Sequence, residues 1–209
     1  MNNKGIAFIL SAPSGTGKTT TCKLLRKKLP KLKFSVSHTT RAIRDGETEG
    51  VDYHFIPQKE FEEKIDRDEF LEWAKVHNQY YGTAFETVDR HRQKGEDLLL
   101  ELDVQGVQSL RKINYEGVFI FLLPPSLEEL EIRLNKRRTE SKEKIKERIE
   151  VGKSEIKKLD LYDYILTNSD IEETVENFLA VILAEHCRKN QYEPPSPDLK
   201  NLLDSKVNA

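Results

Sequence analysis

Cysteine, tryptophan and methionine are scarce in this chain: two, one and one of them in 209 residues. Cys22 and Cys187 lie far apart and have no metal-ligand spacing. That excludes a disulfide framework and a cysteine-built zinc site, and makes a reduced, cytoplasmic protein the expectation. No window approaches the ~20 apolar residues needed to cross a bilayer. The N-terminus partly mimics a signal peptide, with Lys4, the run Gly5 to Ala12 and then Pro13-Ser14. That run is short and leads directly into a glycine-rich element that cleavage would destroy, so retention is expected. An excess of one charge is missing too: 34 basic against 36 acidic residues leave a net of −2. No global field recruits nucleic acid or an anionic membrane, so neither is an expected partner. Any phosphate chemistry must be local.

What is present suffices for a fold. Leu, Ile, Val and Phe make up 58 residues, about 28% of the chain, above the level at which chains stay disordered. With 37% hydrophobic and 33% charged residues, an open molecule of several parts is expected rather than one tight ball. There is no internal repeat. Gly5 to Leu10 is a continuous apolar run that reads as a strand buried on both faces. Ser11 to Gly17 reads as a loop, and Lys18 to Leu29 as a helix stopped by Pro30. Asp97 to Asp103, Val118 to Leu123 and Tyr164 to Leu166 read as further buried strands, separated by helical patterns. The order implies a parallel sheet with crossover helices.

Two segments interrupt that pattern. Residues 34–90 hold polar, aromatic and β-rich stretches, including Phe34 to Ser37, Asp52 to Ile56 and Phe70 to Ala74, around a short helix near Phe61 and Ile65. They read as a small α+β lobe. In Glu131 to Glu150, 13 of 20 residues are charged. Leu127, Leu130 and Leu134 form one stripe and Ile145 and Ile149 another, which reads as a thinly packed helical lid. Residues 191–209, with Pro194-Pro195-Ser196-Pro197, read as a loosely attached polar tail.

Ser11-Ala12-Pro13-Ser14-Gly15-Thr16-Gly17-Lys18-Thr19 follows a strand and opens a helix, the context of a phosphate-binding loop. Glycines turn backbone N–H groups toward phosphate oxygens, and the helix presents its positive end to the same anion. Lys18 brings a mobile charge to the outer phosphates, and the Thr19 hydroxyl can ligate Mg²⁺. Ala12 stands where the strict pattern has its first glycine. Glu101 and Asp103, two apart at the end of an apolar strand, are expected on one face at the ligand crevice. One of them, Glu101 as the expectation, serves Mg²⁺ through water. Arg41 and Arg44, three apart in a Gly-containing loop, suit a terminal phosphate or carboxylate.

The ordered set S-x-T-T-R-x-x-R at Ser37 to Arg44, G-x-D-Y-x-F at Gly50 to Phe55, E-F-x-E-W-A at Glu69 to Ala74 and Y-Y-G-T at Tyr80 to Thr83 resembles the guanylate kinase family. The likeness covers about residues 5 to 186. It implies transfer of the γ-phosphate of ATP to GMP or dGMP, with Mg²⁺, in purine nucleotide metabolism. It implies ATP contacts at Ser11, Ala12, Pro13, Ser14, Gly15, Thr16, Gly17, Lys18, Thr19 and Thr20, and an adenine-side contact at Asn168. Arg41, Arg44, Tyr53 and Tyr81 are implied ligands of the GMP phosphate. Ser37, Glu72 and Thr83 are implied guanine readers, with Gly82 and Asp103 beside them. Lys18, Arg41, Arg137 and Arg148 are implied catalytic cations, Arg137 and Arg148 closing over the transferring phosphoryl group. Arg138 stands where the family has glycine, and Ser169 where it has aspartate.

The implied fold is an α/β P-loop kinase with a five-stranded parallel core sheet flanked by helices. The core spans 1–33, 91–125 and 160–190, the GMP-binding lobe 34–90, the lid 126–159 and the tail 191–209. Two rivals stand beside this reading. A guanylate-kinase-like scaffold module typically lacks the working phosphate loop or the lid arginines. A kinase for another small phosphorylated acceptor would not need Ser37, Glu72 and Thr83 together.

Overall fold

The computed structural model describes residues 4–76, 78–136, 142–189, 191, 192, 194 and 196–199. Along the chain, β1 (Ala7–Ser11) leads to α1 (Lys18–Lys28) and β2 (Lys33–Phe34). The strands β3 (His38–Thr39) and β4 (His54–Phe55) follow, then α2 (Gln58–Asp66), β5 (Phe70–Val76), β6 (Gln79–Ala84) and α3 (Phe85–Gln93). Next come β7 (Leu98–Glu101), α4 (Val104–Lys112), β8 (Val118–Leu123), α5 (Leu127–Asn135), α6 (Lys142–Ile156), β9 (Tyr164–Thr167) and α7 (Ile171–His186).

Five strands form one sheet in the order β2-β7-β1-β8-β9, every pairing parallel. The apolar run of β1 is wholly buried because it pairs on both edges and is covered on both faces. Its side chains alternate across the sheet. Phe8 and Leu10 pack with Cys22 and Leu25 of α1 and Val175 and Phe178 of α7. Ala7 and Ile9 pack on the other face with Val88 of α3 and Val107 and Leu110 of α4. The parallel arrangement puts all strand ends, and the loops that follow them, at one edge of the sheet. That edge carries the site.

The second sheet has the order β4-β3-β6-β5. In its β5–β6 hairpin, Glu72 lies opposite Thr83, Trp73 opposite Gly82 and Ala74 opposite Tyr81, after a bulge between Phe70 and Glu72. One face is closed by Phe61, fully buried and stacked on Phe70 at 4.4 Å and on Tyr80 at 5.2 Å. Leu71 joins the core cluster beneath α3 and α4, so the lobe is anchored to the main sheet by packing.

Four expectations need correction. Phe34, read as part of the lobe, pairs with Leu99 in the core sheet, because β2 completes that sheet's edge. The boundary read at residue 90 falls inside α3, one continuous helix whose Val88 is in the core. The strand read as far as Asp103 stops at Glu101, because Asp103 turns out of the strand to cap α4, accepting from Gly106 N at 2.8 Å. Leu127, read as part of the buried lid stripe, is 45% exposed, while Leu130, Leu134 and Ile145 form the cluster between α5 and α6. Leu127 is the first residue of α5 and lines an open cleft with Glu150, Lys153 and Ser154 of α6.

Candidate active site

The phosphate loop is a rigid arch. Gly15 and Gly17 sit at φ 92° and 104°, where a Cβ is strained, and these turns bend the chain from β1 into α1. Asn168, at the end of β9, donates its side-chain amide to the Thr16 carbonyl at 2.6 Å and accepts from the Thr174 hydroxyl at 3.0 Å. Arg133 of α5 donates to the Thr16 and Asn168 carbonyls, 3.2 Å each. Asn168 is 5% exposed, and its amide ties the loop to α7 from beneath, the nitrogen bonding Thr16 and the oxygen Thr174. Arg133 has no role in the sequence reading, because nothing local tells a loop-bracing arginine from a surface one.

Lys18 opens α1 and reaches across to the Leu102 carbonyl at 3.1 Å, just past the end of β7. Thr19 and Thr20 are exposed on the first turn of the helix. Glu101 ends β7 and faces the Cys22 thiol, whose pKa is pushed up by burial and by that carboxylate. Its charge also reaches Tyr53, whose phenol is raised to about 12 by burial first and by Glu101 second. Among the described residues no group of three or more His, Cys, Asp and Glu can hold a metal ion. One exposed hydroxyl and one carboxylate beside a phosphate loop do fit Mg²⁺, a hard ion that keeps waters and takes phosphate oxygens as ligands.

In the lobe, Ser37 Oγ and Thr83 Oγ1 lie 3.3 Å apart, and Thr83 lies against the Glu72 carboxylate. Glu72 is 7% exposed. Burial lifts its pKa to about 7; Thr83 and the Lys18 charge pull it down, and Asp103 pushes it up. The Gly82 α-carbon faces the other way, into Phe61, Phe70 and Trp73, so its absent side chain serves packing. Arg41 is held by Glu47 through two parallel bonds of 2.8 and 3.0 Å, and also donates to the Ala42 carbonyl at 2.7 Å. The Arg44 backbone N–H donates to the same Glu47 carboxylate, and its side chain lies in an exposed loop. Arg41 holds Glu47 below the ordinary carboxylate range. The Tyr53 ring lies 5.5 Å from the Arg41 guanidinium and 5.9 Å from the Tyr81 ring. Glu47, Arg41, Tyr53 and Tyr81 therefore form one cluster.

Arg148 sits half-buried on α6, and Arg137 lies outside the described residues. Glu155, near the end of α6, has a carboxylate oxygen buried without a hydrogen-bond partner among the described residues. Its pKa is lifted to about 7 by burial and then by Asp103, against the pull of Lys18. It bore no motif signal. His38, unassigned from the sequence, lies 4.8 Å from the His54 ring at a tilt of 37°, and its pKa is lowered to about 4, chiefly by burial.

A phosphate loop at the end of a buried parallel strand, a lysine across its mouth, and a lobe of arginine, tyrosine and carboxylate groups within electrostatic reach define a P-loop kinase for a small phosphorylated acceptor. Comparison with known proteins narrows the class. A family model described as guanylate kinase matches residues 4–185. The guanylate kinase of Syntrophotalea carbinolica is 46% identical over 191 residues, 91% of each chain. That of Geobacter sulfurreducens is 47% identical over 188 residues, 90% of this chain and 93% of the relative. The crystal structure of guanylate kinase from Anaplasma phagocytophilum superposes with a TM-score of 0.75 at 32% identity, covering 99% of this chain and 97% of the other. The chain belongs to the guanylate kinase family.

Proposed function

We propose that the phosphate loop and Lys18 hold the phosphates of ATP while Arg41, Arg44, Tyr53 and Tyr81 hold the phosphate of GMP, bringing donor and acceptor in line. The activity is ATP:GMP phosphotransfer, giving ADP and GDP. The observation that carries the acceptor assignment is the buried Glu72 between Thr83, Ser37 and Asp103. Guanine offers N1–H and a 2-amino group side by side, and an ionised Glu72 accepts from both. Adenine has a bare acceptor at N1 and no 2-amino group, so it would leave a buried carboxylate without donors. Sites built on such matching discriminate by ~10⁴ or more.

Positioning and charge then do most of the work of transfer. Lys18 exchanges the Leu102 carbonyl for phosphate oxygens. Arg41 exchanges the Glu47 carboxylate, or shares itself with it, when the acceptor phosphate arrives. Arg148 brings cationic charge from α6, and Arg137 joins it in this proposal. Asn168 acts on ATP through the loop it braces. Mg²⁺, when bound, neutralises phosphate charge; the Thr19 hydroxyl, and Glu101 through water, would hold it. No helix among the described residues is long and apolar enough to cross a membrane, and both cysteines are free. These observations support our placing the protein in the reduced cytoplasm. The test is a coupled assay of ADP release with GMP, dGMP, AMP and UMP as acceptors. GMP and dGMP should turn over, and AMP and UMP should be slower by orders of magnitude. Equal rates with AMP would refute the role of Glu72.

A further inference from the structure

The fourth helix carries a glycine in its first turn, Val104-Gln105-Gly106, where a helix ordinarily prefers another residue. Glycine in a helix costs roughly 0.5–1 kcal/mol relative to alanine, so its presence needs a reason. Backbone conformation is not the reason, since Gly106 is not among the residues at positive φ. Space is. A Cβ on Gly106 would lie 2.5 Å from Glu72 Oε2, 3.2 Å from Glu72 Cδ and 3.4 Å from Leu102 Cβ. Two other crowded glycines meet something different: buried Gly82 would strike phenylalanine ring carbons and the Trp73 Cβ, and half-buried Gly117 an isoleucine methyl and a backbone carbonyl. Only at Gly106 is the struck group a carboxylate assigned to reading the acceptor base.

Two further features make the contact consequential. Glu72 is 7% exposed and sits on a strand opposite Thr83, so its carboxylate cannot swing freely into solvent. Gly106 also donates its backbone N–H to Asp103 Oδ1 at 2.8 Å. The same residue therefore touches both carboxylates placed on the guanine side, one by a hydrogen bond and one by leaving it room. We propose that Gly106 is a specificity-positioning residue: by lacking a side chain, it sets where the Glu72 carboxylate stands against the guanine edge. The inference rests on the assignment of Glu72 to that edge. A side chain at 106 would push the carboxylate out of line by about an ångström, a misplacement that can cost ~10²-fold in rate.

The test is a set of variants on the full chain, G106A, E72Q, G106A/E72Q, E72D and G106A/E72D, assayed with GMP and AMP and followed by melting. G106A should lower kcat/KM for GMP about a hundredfold and leave KM for ATP within about twofold. G106A/E72Q should be no worse than E72Q alone, since the two changes act on one group. G106A/E72D should match or exceed E72D, because the shorter side chain vacates the space the new methyl fills. That rescue, read in folding yield as well as in rate, supports the inference even where G106A by itself does not fold. A GMP kcat/KM in G106A close to wild type beside an impaired E72Q would overturn the inference and leave the reading of Glu72 intact. Effects that multiply in G106A/E72Q would overturn it as well. An unimpaired E72Q would remove Glu72 from the site and the inference with it.

Discussion

In the function proposed above, the donor loop and the acceptor lobe solve the same problem, binding phosphate, in opposite ways. In that function the loop binds through backbone N–H groups, held by two glycines at positive φ and by Asn168 and Arg133 bonding the Thr16 carbonyl from below. Little there has to rearrange when an anion arrives. In the lobe the groups proposed to hold the acceptor phosphate are side chains that already have partners in the free protein: Arg41 with Glu47, and Tyr53 near Arg41 and Tyr81. Backbone preorganisation gives the loop affinity for any polyphosphate. Side-chain networks give the lobe discrimination, because each group must find a matching replacement partner.

The largest effect should come from the one side chain the donor loop uses directly. Lys18→Ala should lower kcat by roughly 10³-fold or more, with melting shifted by no more than a few degrees, since only the bond to the Leu102 carbonyl is lost. Turnover near wild type would mean that the backbone cradle alone handles the phosphates.

Asn168→Ala tests preorganisation itself. It removes a buried amide that bonds Thr16 and Thr174, at about 1–3 kcal/mol of stability. It should raise KM for ATP severalfold and leave KM for GMP alone. An equal rise for both substrates would show that loop and lobe are not separate in the way described.

The lobe's signature should be a proton. Glu72 is lifted to about 7 from an ordinary 4.5, chiefly by burial, so the folded protein holds that proton more tightly than the unfolded chain does. Its contribution to stability is fully present below the unfolded value and is lost as pH rises through about 7. Glu155 contributes in the same direction. The ligand-free protein should therefore melt lower at pH 8 than at pH 5.5. With Glu72 reading guanine as proposed, GMP requires the ionised carboxylate, so GMP binding at pH 6 should release a proton from Glu72 and at pH 8 almost none. Calorimetry in buffers of different ionisation heat reads this directly, and Glu72→Gln should reduce it to the proton that the GMP phosphate itself loses.

The smallest effect belongs to the resting partner of Arg41. Glu47→Gln should cost under about 1 kcal/mol of stability. It should lower KM for GMP by a few-fold if Glu47 competes with the incoming phosphate. A rise instead would make Glu47 the group that orients Arg41.

What was legible in the chain was whatever depends on neighbours a few residues away. The run Gly5 to Leu10 marks the central strand, and the order of glycines, lysine and threonine marks the loop, because hydrophobic periodicity and backbone turns are local. A parallel core with crossover helices followed from four strand runs separated by helical patterns, as the topology bears out; the fifth strand, β2 at Lys33–Phe34, runs into the stretch read as the lobe, and only its pairing with β7 reveals it. The acceptor-lobe residues were named through motif resemblance, and Ser37, Glu72 and Thr83 are found together, as are Arg41, Tyr53 and Tyr81. What each touches was not legible. The bulge between Phe70 and Glu72 sets the register that puts Glu72 opposite Thr83, and a slip of one residue would turn it to the Phe61 face. Asn168 became a brace, Glu155 a buried carboxylate and Gly106 a spacer only once distant segments met. Those roles arise from contacts between residues tens to more than a hundred and fifty positions apart, and burial and pKa depend on what closes over a group. Pattern along the chain sets the conformation of each segment; only packing decides which polar groups end up facing each other without water between them.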